Sequence, residues 1–369
     1  MIKGVNLGNW LVLEKWMSPE LFGDVNDETD LCTALSDTAK EEWFKVHRGN
    51  WITDRDFAYM AAKGIELVRL PVPFFVFGGY EPYVGCIEYV DKAFDWAERH
   101  GIEILVDLHI VPESQNGFDS GMRGVCKFHK NPKHVELALE VLERLAERYR
   151  DRPGLWGIEV LNEPVSPEVW AMIDPTKKFP NSDPERAKGS EPVPTAFLEQ
   201  FYRDAYARIR AQAPDVRVVF HDGFRLKELA GFFTESDFSQ FAVDTHMYLG
   251  FRFLQAGDTD LEHILGFVDE EFGGTLEEMS QHFPILVGEW ALDPYSPQAY
   301  ALTGDERLDY YRRFAEGQLQ AWEPAIGWCY WSYRLNTDVP RWDAWDLLKA
   351  IETGLMPAKL AARQTAATR

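Results

Sequence analysis

Residues 101–109 read Gly101-Ile102-Glu103-Ile104-Leu105-Val106-Asp107-Leu108-His109, a short apolar run that follows a glycine and ends at a histidine. The preceding segment, 87–100, has a helix-like pattern, and a glycine directly after such a segment is a common helix stop. A continuous apolar run of this length is typical of a strand buried on both faces of a parallel sheet. The stretch therefore predicts a helix that leads into a buried parallel strand.

The same alternation of helix-like segment and apolar run is repeated along the whole chain. It predicts an α/β fold of the (β/α)8 barrel type, formed as a single domain over residues 1–356, with a C-terminal tail over 357–369. The alternative is an open doubly wound sheet, which the sequence disfavours because the usual glycine-rich first turn is missing. The predicted strands are 4–7, 65–70, 102–108, 155–161, 217–220, 241–245, 285–288 and 326–331.

The composition restricts the classes of partner. The chain has 369 residues, with 38 Lys and Arg against 60 Asp and Glu, so its formal net charge is −22. So acidic a chain repels phosphate groups, which argues against nucleic acid or an anionic membrane surface as a partner. No apolar run reaches the roughly 18 residues of a transmembrane helix. The cysteines show no metal-binding spacing and residues 1–8 lack an apolar leader, so we expect free thiols and a cytoplasmic protein.

Polar and aromatic side chains follow the apolar runs, where each predicted strand ends. Barrels build their active sites at this C-terminal face, so we expect these side chains to meet. They are Asn6, Glu14, Arg69, His109, Asn162, Glu163, His221, Asp222, His246, Tyr248, Glu289 and Trp331. We interpret His221 and Asp222 as a structural pair, because no motif gives them a role.

Two of these residues are glutamates on opposite sides of the predicted barrel. Glu163 follows the fourth strand and Glu289 the seventh, so their carboxyl groups can face one another across the barrel mouth. Two carboxyl groups about 5–5.5 Å apart suit a retaining glycosidase, in which one is the acid/base and the other the nucleophile. No phosphate-binding loop or Cys/His metal motif competes with this interpretation. We therefore expect neither a metal nor an organic cofactor.

Seven motifs occur in order along the chain: 4–14 (GVNLGNWLVLE), 68–71 (VRLP), 107–109 (DLH), 114–119 (SQNGFD), 161–164 (LNEP), 246–248 (HMY) and 288–290 (GEW). Together they resemble glycoside hydrolase family 5. The first and fourth motifs resemble the fungal-type exo-β-1,3-glucanases of that family. The resemblance extends over about residues 4–333, nearly the whole chain.

The resemblance implies a role for each matching residue of the catalytic centre. Glu163 is the expected general acid/base and Glu289 the expected nucleophile. Asn162 is expected to bind the 2-hydroxyl of the sugar. Arg69 is expected to pair with Glu289 and keep it ionised, and Tyr248 to hold that carboxylate in orientation.

The resemblance also implies how the sugar is bound. His246 is expected to help position the catalytic pair, and His109 to contact the sugar at the cleavage site. Trp331 is expected to form the floor on which that sugar stacks. Glu14 and Asp119 match residues that, in the exo-glucanases, bind hydroxyls of the terminal sugar and close the pocket.

At the entrance of the pocket, the chain matches the exo-glucanase pattern at some positions and departs from it at others. Phe118 and Phe251 match a pair of aromatics that flank the entrance and hold the next sugar. Asn9 stands where the exo-glucanases usually have glycine, and segments 120–127 and 165–194 have no counterpart that aligns. The long stretches 17–51 and 165–194 both follow predicted strand ends, and we expect them to be functional lids or mobile segments.

The leading hypothesis is an exo-acting retaining β-glucosidase or exo-β-1,3-glucanase that acts on a small oligosaccharide or glycoside. The family also contains β-mannosidases and endo-β-1,4-glucanases, and fold and motif do not separate these activities. A third hypothesis is a non-catalytic carbohydrate-binding barrel, against which the two glutamates argue.

Overall fold

The computed structural model describes residues 1–250, 260–337, 339–357 and 360. Its eight strands are parallel and form a closed barrel in chain order, in which β1 pairs with both β2 and β8. The closed sheet confirms the predicted (β/α)8 barrel and excludes the open doubly wound sheet. The strands are β1 (Ile2–Asn6), β2 (Leu67–Pro73), β3 (Glu103–Ile110), β4 (Leu155–Glu159), β5 (Val218–His221), β6 (Phe241–His246), β7 (Ile285–Trp290) and β8 (Gly327–Tyr330).

Helices connect the strands around the outside of the barrel. The helix before β2 begins at a capping box of Thr53 and Asp56 and ends at Gly64. The helix before β3 ends at Gly101, and both glycines have a left-handed backbone conformation. No described helix has the length and apolar character needed to cross a membrane. The α-helices are Pro19–Phe22, Glu28–Ala34, Asp37–Trp51, Asp54–Lys63, Ile87–His100, Pro132–Tyr149, Pro167–Ile173, Pro175–Lys178, Pro184–Ala187, Thr195–Gln212, Leu226–Glu235, Leu261–Phe267, Gly274–Met279, Pro297–Ala301, Gly304–Ala321 and Leu347–Glu352.

Irregular helical pieces complete the connections. A π-helical turn, Val268–Gly273, interrupts the helix between β6 and β7, and short 3-10 turns occupy Lys15–Met17, Phe128–Lys130 and Pro340–Trp345. The long stretches 17–51 and 165–194 each hold three α-helices. The predicted tail over 357–369 lies almost wholly outside the described residues, so that boundary stays a prediction.

The barrel interior is built in layers, because side chains two residues apart on a strand point to the same face. Near the amino ends of the strands the inner layer is apolar, and two residues further along β1 to β6 the next layer is polar and fully buried. The apolar layer includes Leu67, Leu105, Ala242, Leu286 and Cys329. The polar layer includes Asn6, Arg69, Asp107, Glu159 and Asp244.

The strand pairing is irregular at the ends of β6 and β7. The register of β6 against β7 shifts between Thr245 and His246, and that of β7 against β8 shifts between Val287 and Trp290. Such irregularities occur beside active sites because they re-aim a side chain. Glu289 lies within β7, which runs two residues further than predicted, whereas β4 ends early and leaves Glu163 in the following loop.

Candidate active site

Glu289 is held by two donors near the end of β7. Its Oε1 accepts a hydrogen bond from Arg69 Nη1 at 2.7 Å, and its Oε2 accepts one from Tyr248 Oη at 2.9 Å. These are the contacts that the family motifs imply for Arg69 and Tyr248. Together the donors fix the orientation of the carboxylate and favour its charged form.

Glu163 lies in the loop after β4, where its backbone φ is 45°. Residues other than glycine rarely adopt this left-handed backbone conformation, and those that do are found disproportionately at functional sites. Glu163 Oε1 is 2.6 Å from His246 Nδ1, and the same nitrogen is 3.4 Å from Glu289 Oε2. His246 therefore lies between the two carboxyl groups.

Arg69 is fully buried and organises the centre of the site. Its Nε and Nη2 donate to the two oxygens of Glu159 at 2.7 and 2.9 Å, a paired arrangement that fixes the guanidinium plane. Its Nη2 also donates to Asn162 Oδ1 at 2.9 Å, which leaves the amide nitrogen of Asn162 as a donor for substrate. One guanidinium group thus positions both Glu289 and Asn162.

The surroundings separate the pKa values of the two glutamates. Burial raises the pKa of Glu163 well above its usual range, and the neighbouring Glu289 raises it further. Burial also raises the pKa of Glu289, to about 7, but the Arg69 guanidinium in contact with it opposes that rise. Glu289 therefore loses its proton first, and Glu163 still holds a proton when Glu289 is charged.

His109 and Trp331 form one wall of the site. Burial disfavours the charged imidazole of His109, but Asp107 Oδ2 lies 2.6 Å from its Nδ1 and raises its pKa to about 10. The His109 ring stacks on Trp331, with centroids 5.5 Å apart and planes 7° from parallel. Trp331 lines the cavity and offers an aromatic surface to a ligand.

Hydrogen bonds to its side chain and from its backbone hold Glu14 in place. Its Oε2 accepts a hydrogen bond from Trp16 Nε1 at 2.6 Å, and its backbone N–H donates to Asn9 Oδ1 at 2.9 Å. Asn9 has a φ of 59°, a conformation that glycine and asparagine tolerate best. Asparagine can therefore replace the glycine of the family pattern, and its amide holds Glu14.

Asp119 and Phe118 lie on the loop after β3. Burial raises the pKa of Asp119 to about 7, and Glu14 adds to that rise. Phe118 is 8% exposed, and its ring centroid lies 5.8 Å from that of Phe179. Phe251, which the family motifs pair with Phe118 at the entrance, lies outside the described residues.

A cavity of about 430 Å³ opens among these residues at the carboxyl ends of the strands, within the size range of small-ligand sites. Of the predicted site residues, Arg69 and His246 lie behind its wall and support groups that face it. The predicted residues that line it are Glu14, His109, Phe118, Asp119, Asn162, Glu163, Tyr248, Glu289 and Trp331.

Sequence reasoning missed much of the aromatic wall. Lys178 and Phe179 come from the long 165–194 stretch, whose length was the one available signal. Trp342 and Trp345 follow β8 and belong to no motif, yet their rings pack on Trp16 with centroids 5.3 and 5.4 Å away. The lining residues that were not predicted include Trp16, Lys178, Phe179, Tyr295, Trp342 and Trp345.

His221 and Asp222, interpreted as structural, lie beside His246 and bond to neighbouring groups. His221 Nδ1 accepts a hydrogen bond from Gly223 N at 2.8 Å, so the ring proton of neutral His221 is on Nε2. Asp222 Oδ2 accepts a hydrogen bond from Thr245 Oγ1 at 2.8 Å.

Two groups of described residues are close enough to hold a metal ion. In the first, Glu163, His221 and His246, the protonated Nε2 of His221 is not a free ligand atom. In the second, Glu159 and Asp244 join His246, but the guanidinium of Arg69 already supplies the cation, at 2.7 and 3.4 Å from the two carboxyl groups. The donor sets therefore give no reason to expect a metal.

Comparisons with known proteins place the chain in one family. The family model for cellulase (glycosyl hydrolase family 5) matches residues 29–336. The chain is 31% identical to the probable glucan 1,3-beta-glucosidase A of Emericella nidulans, over 98% of this chain and 91% of the relative. It is 30% identical to the glucan 1,3-beta-glucosidase of Kluyveromyces lactis, over 98% of this chain and 90% of the relative. The solved rutinosidase from Aspergillus niger shares the fold, with a TM-score of 0.73 at 21% identity, over 96% of this chain and 97% of that chain. The chain belongs to glycosyl hydrolase family 5.

Proposed function

We propose that the protein is a retaining, exo-acting β-glucosidase for short β-1,3-linked glucans or related β-glucosides. One observation carries the retaining mechanism: His246 Nδ1 lies 2.6 Å from Glu163 Oε1 and 3.4 Å from Glu289 Oε2. The two oxygens are thus at most about 6 Å apart, which favours retaining spacing (about 5–5.5 Å) over inverting spacing (roughly 6.5–9.5 Å). This spacing supports direct attack by one carboxylate on the sugar.

In the first step, Glu289 attacks the anomeric carbon while Glu163 gives its proton to the departing glycosidic oxygen. The separated pKa values support these roles, because the attacking group must be charged and the acid must hold a proton. Asn162 donates to the sugar 2-hydroxyl, a contact that strengthens in the transition state. The product of this step is a glycosyl ester on Glu289.

In the second step, Glu163 removes a proton from a water molecule, which attacks the anomeric carbon and releases Glu289. The neutral ester on Glu289 lowers the pKa of Glu163, because the carboxylate that disfavoured its charged form is gone. Two inversions leave the sugar with its original β configuration.

The lining of the cavity supports exo action on a neutral sugar. Glu14 Oε1 is 3.8 Å from His109 Nε2, beyond hydrogen-bond distance, and so keeps the capacity to accept from a sugar hydroxyl. Asp119 lines the same cavity. Two carboxyl groups that line one cavity can bind the hydroxyls of a chain terminus, and the names of the relatives favour a β-1,3 linkage.

The test is a panel of p-nitrophenyl β-glucoside, laminaribiose, cellobiose, gentiobiose and p-nitrophenyl β-mannoside, with the anomer first released followed by proton NMR. We expect turnover of the β-glucosides with β-glucose as first product, and no turnover by Glu289→Gln. Glu113→Gln is the matched control, because Glu113 lies in the loop after β3, pairs with Lys127 and does not line the cavity. First release of the α anomer, or full activity of Glu289→Gln, would contradict the mechanism. Preference for long oligomers would instead indicate an endoglucanase, and preference for the mannoside a β-mannosidase.

We also propose that the protein acts inside the cell on an imported small glycoside. All four cysteines are buried free thiols, which supports a reducing compartment. Cell fractionation tests this: activity recovered from the culture medium instead of the cytosol would contradict it.

A further inference from the structure

Asp244 is a buried carboxyl group on β6 to which no motif assigns a role. Its Oδ1 accepts a hydrogen bond from Gly288 N at 2.7 Å. Its Oδ2 has no hydrogen-bond partner among the described residues and lies 3.6 Å from His246 Nε2, which also has none. Two polar atoms that lack a hydrogen bond therefore face one another behind the catalytic pair.

Gly288 shows how tightly Asp244 is placed. A Cβ atom at Gly288 would overlap both carboxyl oxygens of Asp244, so the absence of a side chain there makes room for the carboxyl group. Gly288 directly precedes Glu289, and His246 contacts Glu163. Asp244 thus contacts Gly288, the residue before Glu289, and lies 3.6 Å from His246, the residue that contacts Glu163.

The surroundings keep a proton on this carboxyl group. Burial raises the pKa of Asp244 well above its usual range and Glu159 adds to the rise, whereas Arg69 opposes it. Arg69 Nε, 3.4 Å from Oδ2, already donates to Glu159 at 2.7 Å. Because Oδ1 accepts from Gly288, the proton of Asp244 belongs on Oδ2. The titratable groups that face Asp244 are Arg69 on β2, Glu159 on β4, His246 on β6, Glu289 on β7, Cys329 on β8 and Tyr202 on the helix Thr195–Gln212.

His246 is neutral, because burial lowers its pKa well below the usual range, with His221 and Arg69 adding to the effect. It therefore carries one N–H. An N–H at Nδ1 is favoured by the charged Glu289, 3.4 Å away, and can donate to Glu163 at 2.6 Å, which leaves the lone pair on Nε2.

We propose that Asp244 is a positioning residue, which donates from Oδ2 to His246 Nε2 and thereby holds His246 in the tautomer whose Nδ1–H points at Glu163. The 3.6 Å separation closes to a hydrogen bond on substrate binding, as catalytic contacts commonly do. With His246 donating to Oε1 of Glu163, the transferable proton of Glu163 is left on Oε2, where the leaving group can receive it. Asp244 keeps its own proton throughout both steps. The proposal rests on the proposed function, because it assigns Glu163 as the acid.

The experiment compares Asp244→Ala and Asp244→Asn on two β-glucosides with different leaving groups. The 2,4-dinitrophenyl glucoside needs little acid assistance, whereas laminaribiose needs a proton from Glu163. We expect Asp244→Ala to lose kcat/KM on laminaribiose about tenfold more than on the dinitrophenyl glucoside. Asparagine can accept from Gly288 and donate to His246 as protonated Asp244 does, so Asp244→Asn should keep the wild-type ratio. Asp222→Asn is the control for loss of a buried carboxyl group, because Asp222 accepts from Thr245 Oγ1 instead.

The ratio of the two substrates is the deciding measurement, because a merely structural defect lowers both activities together. Equal losses in Asp244→Ala, or a selective loss in Asp244→Asn, would overturn the proposal. If Asp244→Ala does not fold, nitrogen-15 NMR of the wild-type histidines decides, since a proton on Nε2 of His246 would overturn it as well. A wild-type protein that hydrolyses neither glucoside contradicts the proposed function, which is a separate outcome.

Discussion

Replacing Tyr248 with phenylalanine removes one hydroxyl group from the site and leaves the ring in place. The hydroxyl donates to Glu289 Oε2 at 2.9 Å and helps to keep the pKa of that carboxyl group from rising beyond about 7. The ring stacks on Trp345, with centroids 5.2 Å apart, and this packing survives the substitution. The change therefore perturbs the charged state of Glu289 with little loss of packing.

The size of the effect follows from the charge of the acceptor. A hydrogen bond to a charged group contributes about 1.5–3 kcal/mol, which corresponds to a rise of about one to two pKa units in Glu289. Since Glu289 must be ionised to attack, kcat/KM at pH 6 should fall roughly 10- to 150-fold. At a pH above the raised pKa the loss should be smaller, because Glu289 is then charged in both proteins.

The assay is the pH dependence of kcat/KM for p-nitrophenyl β-glucoside, in which protonation of Glu289 gives the acidic limb. We expect this limb to move to higher pH in Tyr248→Phe. Tyr149→Phe is the matched control, because Tyr149 Oη also donates to a carboxylate, Asp91, at 2.9 Å, but outside the site. If the acidic limb moves no further in Tyr248→Phe than in Tyr149→Phe, the assignment of Tyr248 to the ionised nucleophile is wrong.

Three further perturbations test the acid, the packing and the buried charges. Glu163→Gln should lower kcat/KM for laminaribiose by about 10²–10⁴-fold and spare the 2,4-dinitrophenyl glucoside, a difference that steady-state kinetics measures. Gly288→Ala should lower the melting temperature because the new methyl group displaces the Asp244 carboxyl group, whereas Gly266→Ala has open space and should not lower it. Burial raises the pKa of Glu28 to about 7. At a pH between the usual pKa of a glutamate and 7, the folded protein therefore keeps a proton on Glu28 that the unfolded chain releases. Stability should therefore fall as pH rises through this range, by roughly 3 kcal/mol from Glu28, and chemical denaturation at pH 5 and 8 should show a smaller fall in Glu28→Gln.

The two catalytic glutamates could be predicted from the sequence because each lies in a short local motif. Glu163 follows an asparagine and precedes a proline at a strand end, and Glu289 lies between a glycine and a tryptophan at another. Those patterns, read in order, led to the family, whereas the alternation of apolar runs and helix-like segments led to the barrel; both predictions are confirmed. The roles of the individual site residues stay predictions, although the structure places Arg69, Tyr248 and His246 against the expected partners.

The sequence by itself determined the eight-fold alternation of strand and helix and the polar residues at the strand ends, because both depend on spacings of a few residues. Tertiary structure alone decided what surrounds them. Arg69 reaches Glu289 across 220 positions of the chain, and Asp244 accepts a hydrogen bond from Gly288 N, 44 positions further along. The tryptophans beyond β8 likewise become part of the cavity through closure of the barrel. Burial and distance between residues far apart in the chain set the pKa order of the two glutamates, and neither quantity is encoded in local sequence.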